Sequence, residues 1–180
     1  MTLRVTLALT AIALLGLAIY PASDAIAQQK QRIAFKVGPE NSKYTQQHTI
    51  DVGDVPGHQI RVYEIRRTFP QNPPVFDNVK VVEQFTRGMT DYIDLNGPQT
   101  NYGVWVLENG DKLFTRGNLI SESAANPDGS IKTTSYSVTQ FTGGTGKFRN
   151  IRGSTKTLSI SDIKAGFNEA QYEIEYWVEK

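Results

Sequence analysis

The sequence predicts an all-β protein folded as an antiparallel barrel of about eight strands, whose interior can hold one small ligand. Three observations predict it. After residue 27, Val, Ile, Thr, Tyr and Phe gather in runs of about six to ten residues, separated by Gly, Pro, Asn and Asp. The breaks are tight-turn signals: Asn109-Gly110 before Asp111 suits a type I′ hairpin, and Pro127-Asp128-Gly129 places proline at a first central position. No amphipathic helical period occurs anywhere in the same region. Closing the sheet removes the unpaired edges that many consecutive hairpins would otherwise leave exposed.

The chain divides into three parts. Residues 1–27 read as a signal peptide: Arg4 supplies a positive start, and Val5 to Tyr20 is apolar apart from Thr6 and Thr10. Pro21 then breaks the run, and Ala25-Ile26-Ala27 offers the small-x-small cleavage pattern. The apolar run of about 16 residues is shorter than a spanning helix requires, so no stable membrane anchor is expected after cleavage. Residues 28–43 form an N-terminal segment with a possible first strand, and residues 44–180 form the barrel. A secreted or periplasmic protein is expected. The remaining chain of about 153 residues can bury a real core without staples, and with no cysteine it has none. That absence excludes disulfide scaffolds and zinc–thiolate sites. A formal net charge of +1 carries no basic excess that would point to nucleic acid or anionic lipid.

Strands are expected near 32–37, 44–52, 58–69, 79–92, 101–108, 112–123, 131–141, 153–161 and 170–179. The last shows the alternation most plainly. Tyr172, Ile174, Tyr176 and Val178 share one face; Glu173, Glu175, Trp177 and Glu179 share the other. Pro70-Gln71-Asn72-Pro73-Pro74 cannot be a central strand, because proline has no N–H for the ladder. It reads as a barrel mouth or as a rigid surface linker.

The strand at 58–69 mixes charge with apolar residues on both faces. Ile60, Val62, Glu64 and Arg66 lie on one; Arg61, Tyr63, Ile65 and Arg67 lie on the other. Alternation alone leaves open which face is inside. An inward Glu64 would need a partner, which Arg66 two residues away offers, and would then be a candidate acid, base or charge-stabilising group. The competing reading is a solvent-facing pair. In the strand at 79–92, Val79, Val81, Glu83, Phe85, Arg87 and Met89 share a face. Glu83 and Arg87 there read either as pocket polarity or as rim ion pairs. His48 and His58 lack the convergent ligands of a metal site, so no metal or other cofactor is expected. No Gly-x-Ser-x-Gly elbow occurs.

The segment Phe141–Gly153, FTGGTGKFRNIRG, resembles a phosphate loop but fails its spacing: Phe148 follows Gly146-Lys147 where Ser or Thr belongs. It reads instead as a glycine-rich connection between strands, anchored by Phe148. This segment resembles the glycine-rich turn of the allene oxide cyclase and dirigent barrel superfamily at Thr142, Gly143, Gly144, Thr145, Gly146, Phe148 and Gly153. Val62-Tyr63-Glu64-Ile65 is similar to the first long barrel strand of the plant cyclases. The resemblance covers roughly residues 44–180. It implies a calycin-like, eight-stranded antiparallel barrel, a trimeric homo-oligomer as in dirigent proteins, and Glu64 as the cavity carboxylate. Arg66 stands where the cyclases carry asparagine, and Pro73 is the nearest match to a family proline.

Three functional readings follow. The first is a lumen that binds an apolar or amphipathic small molecule, with Glu64 and Arg66 as polar anchors and Tyr63, Glu83, Phe85 and Arg87 beside them. The second is an isomerase or cyclase acting on an unsaturated epoxy fatty acid, with Glu64 stabilising charge. The third is a dirigent-like or purely structural module. Fold does not choose among them.

Overall fold

The computed structural model describes residues 29–162 and 164–180, so the predicted signal peptide lies outside the described residues. The strands are β1 (Gln31–Val37), β2 (Ser42–Asp51), β3 (His58–Thr68), β4 (Val75–Phe76), β5 (Val79–Ile93), β6 (Gly97–Leu107), β7 (Lys112–Ala125), β8 (Ile131–Gly144), β9 (Ile151–Asp162) and β10 (Phe167–Val178). Each strand expected from the sequence is present, with its ends shifted by a few residues. The two-residue β4 is the addition. It lies in the proline-bearing connection and pairs with the start of β5.

The sheet order is β1-β10-β9-β8-β7-β6-β5-β3-β2, antiparallel throughout. Nine strands run around the barrel where eight were expected, because one stave is broken. β1 and β2 lie at opposite ends of the order, point the same way, and are joined only through a one-turn 3-10 helix at Pro39–Asn41. No strand ladder joins β2 to β10 among the described residues. Side chains cross this seam instead: the Ser42 hydroxyl donates to Asn168 Oδ1 at 2.9 Å, and Arg67 Nη2 donates to the same oxygen at 2.6 Å.

The interior divides into two halves. One end, here the lower, is apolar. Val81, Trp105, Leu107, Leu113, Phe141, Phe148, Ile151, Ile174 and Tyr176 pack there with Phe76. The proline-bearing connection supplies the plug. Phe76 is fully buried, with ring centroids 4.9 Å from Tyr176, 6.0 Å from Phe141 and 6.1 Å from Trp105. The buried Pro74 has no N–H to satisfy, and its carbonyl accepts from Val81 N at 2.9 Å. This connection is therefore a floor and not a mouth. The glycine-rich segment closes the same end. Phe148 is buried, Thr145 Oγ1 donates to Asp111 Oδ1 at 3.0 Å, and Lys147 Nζ donates to the Asp77 carbonyl at 2.7 Å.

Candidate functional site

The other half of the interior is polar. In β8 the inward residues are Thr133, Ser135, Ser137 and Thr139, all buried, while Tyr136 and Val138 are 54% and 57% exposed. The same polar lining continues on the neighbouring strands with Gln99 and Asn101 of β6, Thr115 and Ser121 of β7, Thr155 and Ser161 of β9 and Asn168 of β10. All of these except Ser121 surround, together with residues of β3 and β5, a cavity of about 50 Å³.

The β3 face that sequence left open is now assigned. Arg61, Tyr63, Ile65 and Arg67 are buried and line the cavity. Of the residues nominated from the sequence, Tyr63 alone does so. Glu64 and Arg66 point outward, one residue out of phase with the lumen. Arg87 Nε donates to Glu64 Oε2 at 2.7 Å and Thr45 Oγ1 donates to Glu64 Oε1 at 2.6 Å. Arg66 Nε donates to Glu83 Oε1 at 2.6 Å. Phe85 and Arg87 lie on the same outer face, the Arg87 guanidinium 5.2 Å from the Phe85 ring. The reason on β5 is a bulge between Val81 and Glu83. It breaks the alternation, so Val81 stays inside while Glu83, Phe85 and Arg87 turn out and Gln84, Thr86 and Tyr92 turn in. Pro73, in the connection that closes the lower end, does not line the cavity.

These outer ion pairs carry little energy. Glu64→Gln is expected to change stability by less than about 1 kcal/mol, which urea titration of the two proteins checks.

The upper lumen is held by one hydrogen-bond chain. The Tyr63 hydroxyl donates to Gln99 Oε1 at 2.9 Å, and Gln99 Nε2 donates to Ser121 Oγ at 2.6 Å. The Tyr92 hydroxyl donates to the same Oγ at 2.7 Å, and Ser121 and Ser135 share a further bond at 2.6 Å. Gly88 makes room for Tyr63, since a Cβ there would stand 2.6 Å from the ring. Burial pushes the Tyr63 and Tyr92 phenols up, Tyr92 to about 12, so both are neutral at physiological pH.

Two guanidiniums enter this lumen. Arg61 is 7% and Arg67 3% exposed. Neither forms a salt bridge among the described residues, and no Asp or Glu lines the cavity. Arg67 is held by neutral acceptors, Nη1 donating to Gln84 Oε1 and Thr86 Oγ1 at 3.1 Å each, and Nη2 to Asn168. Arg61 makes one long bond, Nη1 to Gln47 Oε1 at 3.4 Å, and lies 5.3 Å from the Tyr63 ring centroid and 5.9 Å from those of Tyr44 and Tyr92. Sequence reasoning weighed Glu64 and Arg66 and passed over Arg61 and Arg67. The available signal was the run Thr133-x-Ser135-x-Ser137-x-Thr139, which places small hydroxyls on one face of a long strand.

At the start of β3, His58 Nδ1 lies 2.6 Å from Asp54 Oδ1 and its Nε2 lies 2.8 Å from Asp91 Oδ1. Hydrogen bonds to Asp91 and Asp54 raise the His58 pKa above 6.5, and the bond to His58 lowers that of Asp54 below 3.8. A raised histidine stabilises below its unfolded value and loses that contribution as pH rises through the folded value. Stability is therefore expected to fall as pH rises from 6.5 through the folded His58 value. Below pH 3.8 the Asp54 contribution is lost as well. Urea midpoints measured against pH should show the upper step in the native protein and lose it in His58→Asn.

No family model matches the chain, and no curated protein matches it. Among solved structures, the pterocarpan synthase dirigent protein PsPTS1 is similar with a TM-score of 0.50 and 16% identity, over 84% of this chain and 97% of that one. The pterocarpan synthase dirigent protein GePTS1 gives 0.48 and 15%, over 93% and 100%. A pyocyanin demethylase gives 0.39 and 15%, over 80% and 99%. The likeness to PsPTS1 shows the fold, a dirigent-like β-barrel, as the motif resemblance implied.

Proposed function

On this dirigent-like barrel, we propose that the protein is a secreted or periplasmic binding module that takes a compact polar molecule into the upper lumen. The observation that carries this reading is the division of the interior. One end is closed by aromatic packing, while the other is lined by polar groups that the protein itself does not fully pair. Buried polar groups are ordinarily satisfied. Here Arg61 Nε, Arg67 Nε, Trp105 Nε1, Asn101 Oδ1, Ser137 Oγ and Thr155 Oγ1 have no partner among the described residues, and all six residues line the same cavity.

Size and polarity replace the ligand class expected from sequence. Drug-sized ligands occupy pockets of roughly 300–1,000 Å³, against about 50 Å³ here. An epoxy fatty acid or another long apolar molecule does not fit. The cyclase reading also loses its carboxylate, because Glu64 is paired on the outside.

Native mass spectrometry of protein purified from its host tests the reading. A bound mass of a few heavy atoms, released on unfolding and reduced by Ser137→Val, supports it. An unliganded barrel whose melting temperature is indifferent to panels of small polar compounds overturns it.

The outer face favours self-association as a second property. Ile120, Tyr136 and Val138 form exposed apolar surface on β7 and β8, in keeping with the trimer that the family resemblance implies. Sedimentation of the intact protein and of Tyr136→Glu, expected to lower the oligomer mass, tests it.

A further inference from the structure

The lumen combines two buried cations with no anion. A buried charge is costly unless it is paired. Arg61 and Arg67 are each more than nine-tenths buried, yet the cavity lining holds no carboxylate. The tyrosines beside them do not serve as counter-ions, because burial raises Tyr63, Tyr92 and Tyr172 and keeps them as neutral phenols.

The unpaired atoms have a direction. Arg61 Nε, Arg67 Nε and Trp105 Nε1 are obligate donors, and the hydroxyls of Ser137 and Thr155 can donate as well. Among these unpaired atoms of the cavity, Asn101 Oδ1 is the one obligate acceptor. A ligand that completes this set presents acceptors, and the two guanidiniums select a negative one.

The two arginines are six residues apart on β3, about 20 Å along the strand, so a compact ligand engages one of them. Arg67 already spends both terminal nitrogens on Gln84, Thr86 and Asn168. Arg61 is the less committed cation, and its only hydrogen-bond partner among the described residues, Gln47, is exposed. The half-buried Tyr44 lies beside it, so this end of the lumen is the one within reach of solvent.

We propose that the upper lumen is an anion site in which Arg61 donates to the carboxylate or phosphate-like group of a compact ligand. Tyr44, Tyr63 and Tyr92 form the walls. A planar guanidinium offers a fork that a carboxylate or phosphate oxygen pair accepts, which a lysine ammonium does not reproduce. The inference rests on the lumenal binding proposed above and assigns its charge and its principal contact.

The test is titration of the intact protein, observed at the arginine Nε–H resonances. Sodium acetate and inorganic phosphate are the probes, sodium chloride at matched ionic strength is the control, and acetamide is the neutral isostere of acetate. The expected result is saturable movement of the Arg61 Nε–H signal with acetate or phosphate, and none with chloride or acetamide; which probe acts tells carboxylate from phosphate. Arg61→Met should weaken binding at least tenfold, Arg61→Lys should fall between, and the outward Arg66→Met should bind as the native protein does. Near-UV circular dichroism reports whether each variant keeps its packing. Should Arg61→Met fail to fold, the native titration and Arg61→Lys still decide. The assignment is overturned if neither anion moves Arg61 saturably, or if a folded Arg61→Met binds as tightly as the native protein. It is also overturned if acetamide matches acetate, in which case polar binding in the lumen stands and only its charge is wrong.

Discussion

Phe76→Ala is expected to destabilise the protein by about 3–5 kcal/mol, the range for truncating a buried aromatic. Phe76 is fully buried and meets Trp105, Phe141 and Tyr176 at the lower end of the barrel. Its backbone belongs to β4, which pairs with β5 through only two residues. So short a ladder does not hold the plug without its side chain. The loss should therefore be felt beyond one cavity, because the neighbouring Asp77 N–H donates to the Tyr176 hydroxyl at 2.8 Å and Lys147 reaches Asp77. Urea unfolding followed by tryptophan fluorescence checks it, since Trp105 lies against Phe76 in the folded state. A loss under about 1 kcal/mol would mean that the connection is a surface linker after all.

Gly153→Ala is expected to destabilise by about 1–3 kcal/mol through overpacking, with added backbone strain. The residue sits at φ 126°, where an L side chain is strained. A Cβ would also run into the Glu175 carbonyl oxygen and stand 2.7 Å from Tyr176 Cα on the paired strand. That oxygen belongs to the backbone of β10 and cannot swing aside as a flexible side chain would. Thermal unfolding of the variant beside the native protein measures the cost. Gly129, at φ 80° with open space around its Cβ position, is the control that isolates the backbone component.

Much of the fold was legible because turns and alternation are local. Asn109-Gly110-Asp111 connects two strands as expected, but not through the expected type I′ turn: the Gly110 N–H donates to the Leu107 carbonyl at 2.9 Å, Gly110 has positive φ and Asn109 does not, and the Asp111 N–H donates to Asn109 Oδ1 at 3.0 Å. Tyr172, Ile174 and Tyr176 alternate with glutamates, and all three are buried as expected. The glycine-rich segment was legible as a strand connection anchored by Phe148, although the approach of Glu175 to Gly153 comes from a distant strand. The site was much less legible. Glu64 and Arg66 drew attention because a carboxylate beside a cation on a strand is a familiar site pattern. The same pattern describes a cross-strand ion pair, and in the register with β5 Glu64 lies opposite Arg87.

The sequence alone determined that this chain is an antiparallel barrel, roughly where its strands begin and end, and which segments join them. It also established that two faces of β3 exist and what each carries. Only the tertiary structure decided which face is inside. A period of two is blind to sign, and a bulge such as the one between Val81 and Glu83 reverses the sign along a single strand. That choice turned Glu64 outward and brought Arg61 and Arg67 into a hydroxyl-lined lumen. Hydrophobic burial did not make the choice for the upper half, where Tyr136 and Val138 face outward over Ser135, Ser137 and Thr139. There the curling of the sheet around a narrow interior favours small side chains within, and the polarity of those side chains is what gives the lumen its chemistry.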